Sequence, residues 1–189
     1  MLGAAENVIL IGGSAGSYDL IIQILKALPA YFTCAIIVVI HRNSKYETQI
    51  ESSLSSQLEK NIESAQDKGR IKQNWIYFAP PGYHLLIEPN KTFSLDQSEP
   101  IQFSRPSIDV TFESVADVYG DKASAFLLSG ANQDGSNGIA HVLRNGGQAF
   151  VQNPAESKMD VMTKYAISQN ENALICDNKK IIQYFSTIN

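Results

Sequence analysis

Ile9-Leu10-Ile11-Gly12-Gly13-Ser14-Ala15-Gly16-Ser17 decides the fold. Its first three residues end a short β-branched-rich run, Asn7 to Ile11, which reads as a buried strand of a parallel sheet. Beyond Ser17, the apolar residues Tyr18, Leu20, Ile21, Ile24, Leu25 and Leu28 recur at helical spacing. Ser14 therefore sits where a strand turns into a helix. Glycines there let the chain bend tightly around a hydroxyl, and the opening helix turns unsatisfied N–H groups towards the loop.

Two chemistries use such a loop. Gly12-x-Ser14-x-Gly16 fits the G-x-S-x-G nucleophile turn of acyl transfer. The same N–H groups also suit a phosphate, but no Gly-Lys-Ser/Thr follows at P-loop spacing and the G-x-G-x-x-G pattern is incomplete. A tight turn without chemistry is the third reading. The rest of the chain has to decide among them.

Working outward, Leu28-Pro29 ends the first helix, and Cys34 to Ile40 is a second continuous apolar run, closing a βαβ unit over residues 7–40. It ends in His41-Arg42-Asn43. Both strand-end loops open on the carboxyl edge of the sheet, where ligands bind in open α/β folds. Residues 46–60 read as a helix. In residues 61–104, the runs Arg70 to Ala79, His84 to Glu88 and Thr92 to Leu95 are separated by Pro/Gly turns and read as antiparallel hairpins. Ser107 caps a helix over 107–119. Ala123 to Leu128 is a buried strand running into a second glycine-rich loop, Ser129 to Gly138, with a helix opening at Gly138 to Leu143. Gln148 to Val151 and Ala173 to Ile175 read as strands, Met159 to Ser168 and Lys179 to Ser186 as helices. The expected fold class is α/β: a doubly wound, mostly parallel sheet flanked by helices, with an antiparallel β-hairpin insertion. Residues 1–189 are expected to form a single domain, since no linker divides them.

The balance of 44% apolar and 18% charged residues is that of a globular chain. A net charge of −4 with no long Lys/Arg run argues against a nucleic-acid partner. No apolar stretch reaches membrane-spanning length, and the N-terminus lacks a secretory pattern, so a cytoplasmic protein without membrane insertion is expected. Cys34 and Cys176 each sit in an apolar run and read as two buried, reduced thiols; neither has a Cys or His at ligand spacing, so no metal or cofactor is expected.

Ser14, His41 and Asp134 all fall on carboxyl-edge loops. A serine needs a base in contact, an imidazole supplies one near neutrality, and a carboxylate fixes its tautomer. The order Ser–His–Asp differs from the Ser–Asp–His of α/β-hydrolases, which argues against that fold. His84 and His141 are competing bases; Asp109 and Asp160 are competing carboxylates, Asp109 standing in the first turn of a helix where an acid suits the dipole.

These motifs together resemble the catalytic domain of the chemotaxis protein-glutamate methylesterase (CheB) family, from about Val8 to Phe185. Ile11 to Gly16 is similar to its nucleophile loop, Ile40-His41 to the segment of the base, and Ala79-Pro80-Pro81-Gly82-Tyr83-His84-Leu85 to its A-P-x-G-x-H-L turn. Arg105-Pro106-Ser107-Ile108-Asp109 resembles its R-P-S-V-D helix start, and Leu128 to Gly138 its L-T-G-M-G-x-D-G-x-x-G loop. The resemblance implies hydrolysis of glutamate methyl esters on chemoreceptors, and glutamine deamidation in some members. Ser14 would be nucleophile, His41 base and Asp134 orienting acid, with the backbone N–H groups of Ala15 and Ala131 holding the oxyanion. His84 and Arg105 would border the cleft. The implied partner is a methylated chemoreceptor or related signalling protein. The chain departs from the family at Ser17, where a glycine is usual, at Ala131-Asn132, which replace Met-Gly, and at Arg42-Asn43, which replace Met-Pro. The family's receiver domain has no counterpart in these residues, so a separate response-regulator partner is one expectation. A catalytically degenerate homologue that binds a receptor or ligand without hydrolysis is the alternative, and a nucleotide-binding flavodoxin-like module is a third.

Overall fold

A computed structural model describes residues 3–42 and 50–189. Seven parallel strands form one sheet in the order β3-β4-β2-β1-β7-β8-β9. Here β1 is Val8–Gly13, β2 Ala35–Ile40, β3 Ile62–Ser64, β4 Trp75–Phe78, β7 Ala123–Leu127, β8 Gln148–Gln152 and β9 Leu174–Cys176. A separate antiparallel hairpin joins β5, His84–Ile87, to β6, Phe93–Asp96.

The central strands are apolar on both faces because both faces are covered. Val8 and Leu10 join Ile37 and Val39 in one core; Ile9 and Ile11 join Ile36 and Val38 in the other. The first core packs under α3 (Ile108–Tyr119), α4 (Ser136–Arg144), α5 (Val161–Gln169) and the hairpin. The second packs under α1 (Tyr18–Ala27), α2 (Ile50–Leu58) and α6 (Asn178–Ser186). In α1 the buried residues are Leu20, Ile21, Ile24 and Leu25, as the apolar spacing predicts, whereas Tyr18, the first residue of that series, is exposed. No helix among the described residues is long and apolar enough to cross a membrane.

The chain runs outward from β1 in both directions: towards β2 and β4 on one side, towards β7 and β8 on the other. The reversal lies between β1 and β7, and the crevice at the carboxyl ends of such a pair is where doubly wound sheets place their ligands. Ser14 and Ser129 are the residues at that point. Ser14 N donates to Ser129 O at 2.9 Å.

Two expectations are corrected, and one strand was not foreseen. Arg70 to Ala79 does not form a hairpin: β4 is a parallel strand of the main sheet, with Ile76 and Phe78 in one core and Tyr77 in the other. Burial on both faces overrides the apparent alternation. The three-residue edge strand β3 lies in a stretch without a strand-like pattern, Glu63 and Ser64 being half-buried. Cys176 is half-buried at the sheet margin rather than enclosed, whereas Cys34 is buried and its thiol is pushed up to about 12 by that burial. The expected helix over 46–60 is present as α2; its residues 46–49 lie outside the described ones.

Candidate active site

Parallel register fixes the first two residues. Gly13 stands opposite Ile40, so Ser14 and His41 leave adjacent strands at the same height, and His41 N donates to Gly13 O at 3.3 Å. The loop after β1 needs its glycines for space. Gly16 has φ +84°, and a Cβ there would lie 2.6 Å from Lys158 Cβ. Ser17, where the family glycine is absent, is wholly buried and donates its hydroxyl to Ser14 O at 2.8 Å. It thus ties the loop down rather than deforming it. Ser14 is half-buried and Ala15 exposed. Among the described residues, the Ala15 and Ala131 N–H groups meet no hydrogen-bond acceptor.

Asp134 is fully buried and its carboxylate takes four donors. Oδ1 accepts from Ser107 Oγ and Asp109 N, both at 2.9 Å; Oδ2 accepts from Ile108 N and His41 Nε2, both at 2.7 Å. The carboxylate therefore sits on the first turn of α3, where the helix dipole favours an anion. Burial works to raise its affinity for a proton, and the bonds from His41, Asp109 and Ile108 overcome this and hold it below the ordinary 3.8. An ionised acceptor on Nε2 requires hydrogen at that nitrogen, which leaves the Nδ1 lone pair of neutral His41 open. Nδ1 faces Ser104 Oγ at 3.2 Å. Among the described residues no hydrogen bond joins His41 to Ser14 Oγ.

Ala131 and Asn132, which replace Met-Gly, adopt no positive φ, so the backbone path needs no glycine there. Gly135 is where one is needed: φ is +95°, and a Cβ would lie 2.5 Å from Leu127 Cδ1.

An open cleft of about 410 Å³ adjoins the imidazole, lined by His41, Arg42, Gly82, Phe103, Ser104 and Arg105. Arg105 Nη1 donates to Gln97 O and Ser98 O at 2.8 and 2.7 Å. Arg42 is paired with Glu51 at 2.7 Å and donates to Ala79 O, which offsets its charge at the cleft mouth; Asn43 lies outside the described residues. His84 does not border the cleft. It is 1% exposed, its Nδ1 accepts from Ser107 N at 3.2 Å, and Nε2 donates to Glu99 O at 3.1 Å. Two backbone partners at bonding distance draw the ring inward, where it orders the start of α3. The other competitors lie apart from the cleft. His141 pairs with Asp117, Asp160 with Lys164, and buried Asp109 accepts from Gly138 N at 2.8 Å. Sequence reasoning missed Ser104; its place two residues before the cis-peptide-linked Pro106 carries no chemical signature.

The chain is similar to known proteins over nearly its whole length. The CheB methylesterase family model matches residues 9–185. A putative protein-glutamate methylesterase/protein-glutamine glutaminase of Leptospira interrogans is 39% identical over 179 residues, 95% of this chain and 93% of the relative. A Methanosarcina acetivorans protein-glutamate methylesterase/protein-glutamine glutaminase is 31% identical over 157 residues, covering 79% of this chain and 44% of its own length. The crystal structure of the Thermotoga maritima CheB methylesterase catalytic domain superposes with a TM-score of 0.86 at 27% identity, over 94% of this chain and 98% of that one. With the family model spanning residues 9–185, a relative 39% identical across 95% of the chain and the fold of a solved catalytic domain in common, the chain belongs to the CheB methylesterase family.

Proposed function

We propose that this protein hydrolyses glutamate methyl esters on a chemoreceptor or related signalling protein through Ser14, His41 and Asp134. The observation that carries the reading is the 2.7 Å bond from His41 Nε2 to buried Asp134, one strand away from Ser14. Ser14 Oγ attacks the ester carbonyl and its proton passes to His41 Nδ1. The Ala15 and Ala131 N–H groups, which lack other acceptors among the described residues, receive the oxyanion. The imidazolium returns the proton to the departing methoxide, and methanol leaves. Water then gives its proton to His41 and attacks the acyl-serine, releasing the glutamate carboxylate and restoring the hydroxyl. Throughout, Asp134 stays ionised, held so by α3 and by His41.

The same sequence of steps on a glutamine side chain expels ammonia, the second activity in the names of the Leptospira and Methanosarcina relatives. Residues 1–189 act as one catalytic unit in the cytoplasm, with a methylated chemoreceptor or related signalling protein as its partner. The free thiols of Cys34 and Cys176 suit that compartment. A degenerate binder is the weaker reading, because the substitutions that prompt it, Ala131 and Asn132, leave the backbone free of strain. The test is release of labelled methanol from a methylated receptor. The wild type should release it and Ser14→Ala should not; release undiminished by that substitution rejects the assignment.

A further inference from the structure

The one nitrogen of His41 open to a nucleophile is held by a different hydroxyl. Ser104 is 8% exposed, and its Oγ lies 3.2 Å from Nδ1. With Nε2–H committed to Asp134, Ser104 must be the donor. Asn132 Nδ2 in turn donates to Ser104 Oγ at 3.3 Å and to Gln102 O at 3.5 Å. The chain Asn132 → Ser104 → His41 → Asp134 thus has one direction, each group donating to the next. An imidazole lone pair accepts one good hydrogen bond in the ring plane. Ser14 cannot pass its proton to Nδ1 while Ser104 occupies it.

The segment that carries Ser104 is a tight, strained turn on the cleft wall. Ile101 and Ser104 close a tight turn by two backbone bonds of 3.1 and 2.8 Å. Its tip residues, Gln102 and Phe103, take φ of +47° and +64° without being glycines, a conformation that costs energy. Phe103 stands entirely in solvent on the cleft wall. When the hydroxyl turns from His41 it has a second acceptor in its own turn, Gln102 O at 3.5 Å.

We propose that Ser104 is a positioning residue that occupies the base nitrogen of His41 in the free protein, and that a protein substrate bearing on Phe103 withdraws it and yields the nitrogen to Ser14. The inference rests on the catalytic roles assigned above. Asn132 belongs to the device, because its amide holds the hydroxyl in place.

The test uses the whole chain and a fluorophosphonate small enough not to press on the turn, with the labelled residue identified by peptide mapping. Ser104→Ala should label at Ser14 between about two- and tenfold faster than wild type, the range that loss of one net hydrogen bond gives. Ser104→Thr should restore the wild-type rate. On a methylated receptor the gain from Ser104→Ala should be smaller, because that substrate displaces the hydroxyl itself. A folded Ser104→Ala protein that labels no faster overturns the proposal, as does labelling mapped to Ser104, or an equal gain on probe and receptor. Absence of labelling in every variant, or labelling that survives Ser14→Ala at another residue, instead rejects the catalytic roles. In that case the 15N resonance of His41 Nδ1, read in mildly alkaline solution, still decides: it should move in Ser104→Ala and return in Ser104→Thr, and an unmoved signal overturns the proposal.

Discussion

Asp134 and Asp109 cap each other's helices. Asp134, in the loop leading into α4, accepts from the first-turn amides Ile108 N and Asp109 N of α3; Asp109, in that turn, accepts from Gly138 N in the first turn of α4 at 2.8 Å. The residue that orients the imidazole is therefore anchored by the two helices it helps to join. Gly138 lets them approach, since a Cβ there would lie 2.6 Å from Phe112 Cβ.

The two carboxyls titrate in opposite senses. Burial lifts Asp109 to about 6, with the Asp134 and Glu113 charges adding to the rise and the Gly138 N–H opposing it. Between about pH 4 and 6 the folded chain therefore binds a proton at Asp109 that the unfolded chain has released, so this group's effect is that stability falls as pH rises through that window and levels off above it. Asp134 has a depressed folded value; its contribution is full above 3.8 and is lost as pH falls below it. Asp109→Asn, which keeps an acceptor for Gly138 N–H, should remove the slope between about pH 4 and 6 and stabilise the protein near neutrality by roughly 1–2 kcal/mol. Melting temperature against pH for both proteins checks this.

Ser14→Ala should abolish methanol release while leaving the melting temperature within a degree or two. The side chain is half-buried and its backbone, not its hydroxyl, holds the bonds to Ser129 and Ser17. Residual turnover should be lower by several powers of ten, the scale seen when a serine nucleophile is deleted.

His84→Ala should act at a distance. It deprives buried Ser107 N of its acceptor, a loss of about 1–3 kcal/mol, and also removes the donor to Glu99 O. Because Ser107 Oγ donates to Asp134, the expected kinetic signature is a lower kcat with a nearly unchanged KM. Chemical denaturation and steady-state kinetics on the same variant measure both.

Gly16→Ala should impair activity more than stability. Its φ of +84° and the 2.6 Å approach to Lys158 Cβ force the loop after β1 to shift, and with it Ser14 and Ala15. Labelling by a fluorophosphonate should slow markedly, whereas the circular dichroism spectrum should stay unchanged.

Much of this was legible in the chain. Continuous apolar runs at Val8 to Ile11 and Ala35 to Ile40 report strands covered on both faces, and Leu20 to Leu25 report the helix between them. Ser14, His41 and Asp134 were visible as chemistry-bearing residues at strand ends. What escaped is what depends on distant partners. Trp75 to Phe78 looks like half a hairpin until β2 is seen beside it. His84 looks like a cleft residue until Ser107 N and Glu99 O claim both its nitrogens. Ser104 looks like any turn serine until the fold brings it 3.2 Å from an imidazole 63 positions away.

The way round in which Asp134 grips the imidazole has a mechanical outcome. Presenting Nδ1 instead of Nε2 puts the proton acceptor one bond nearer its own Cα, on a shorter arm with less sweep. Its aim is consequently governed by the hydrogen-bonded ladder between β1 and β2, in which Gly13 faces Ile40. Slipping that ladder by a single rung would carry the serine about 3.3 Å along the strand and reverse the side on which it emerges. The relative height of Ser14 and His41 is thus set by the backbone of the sheet.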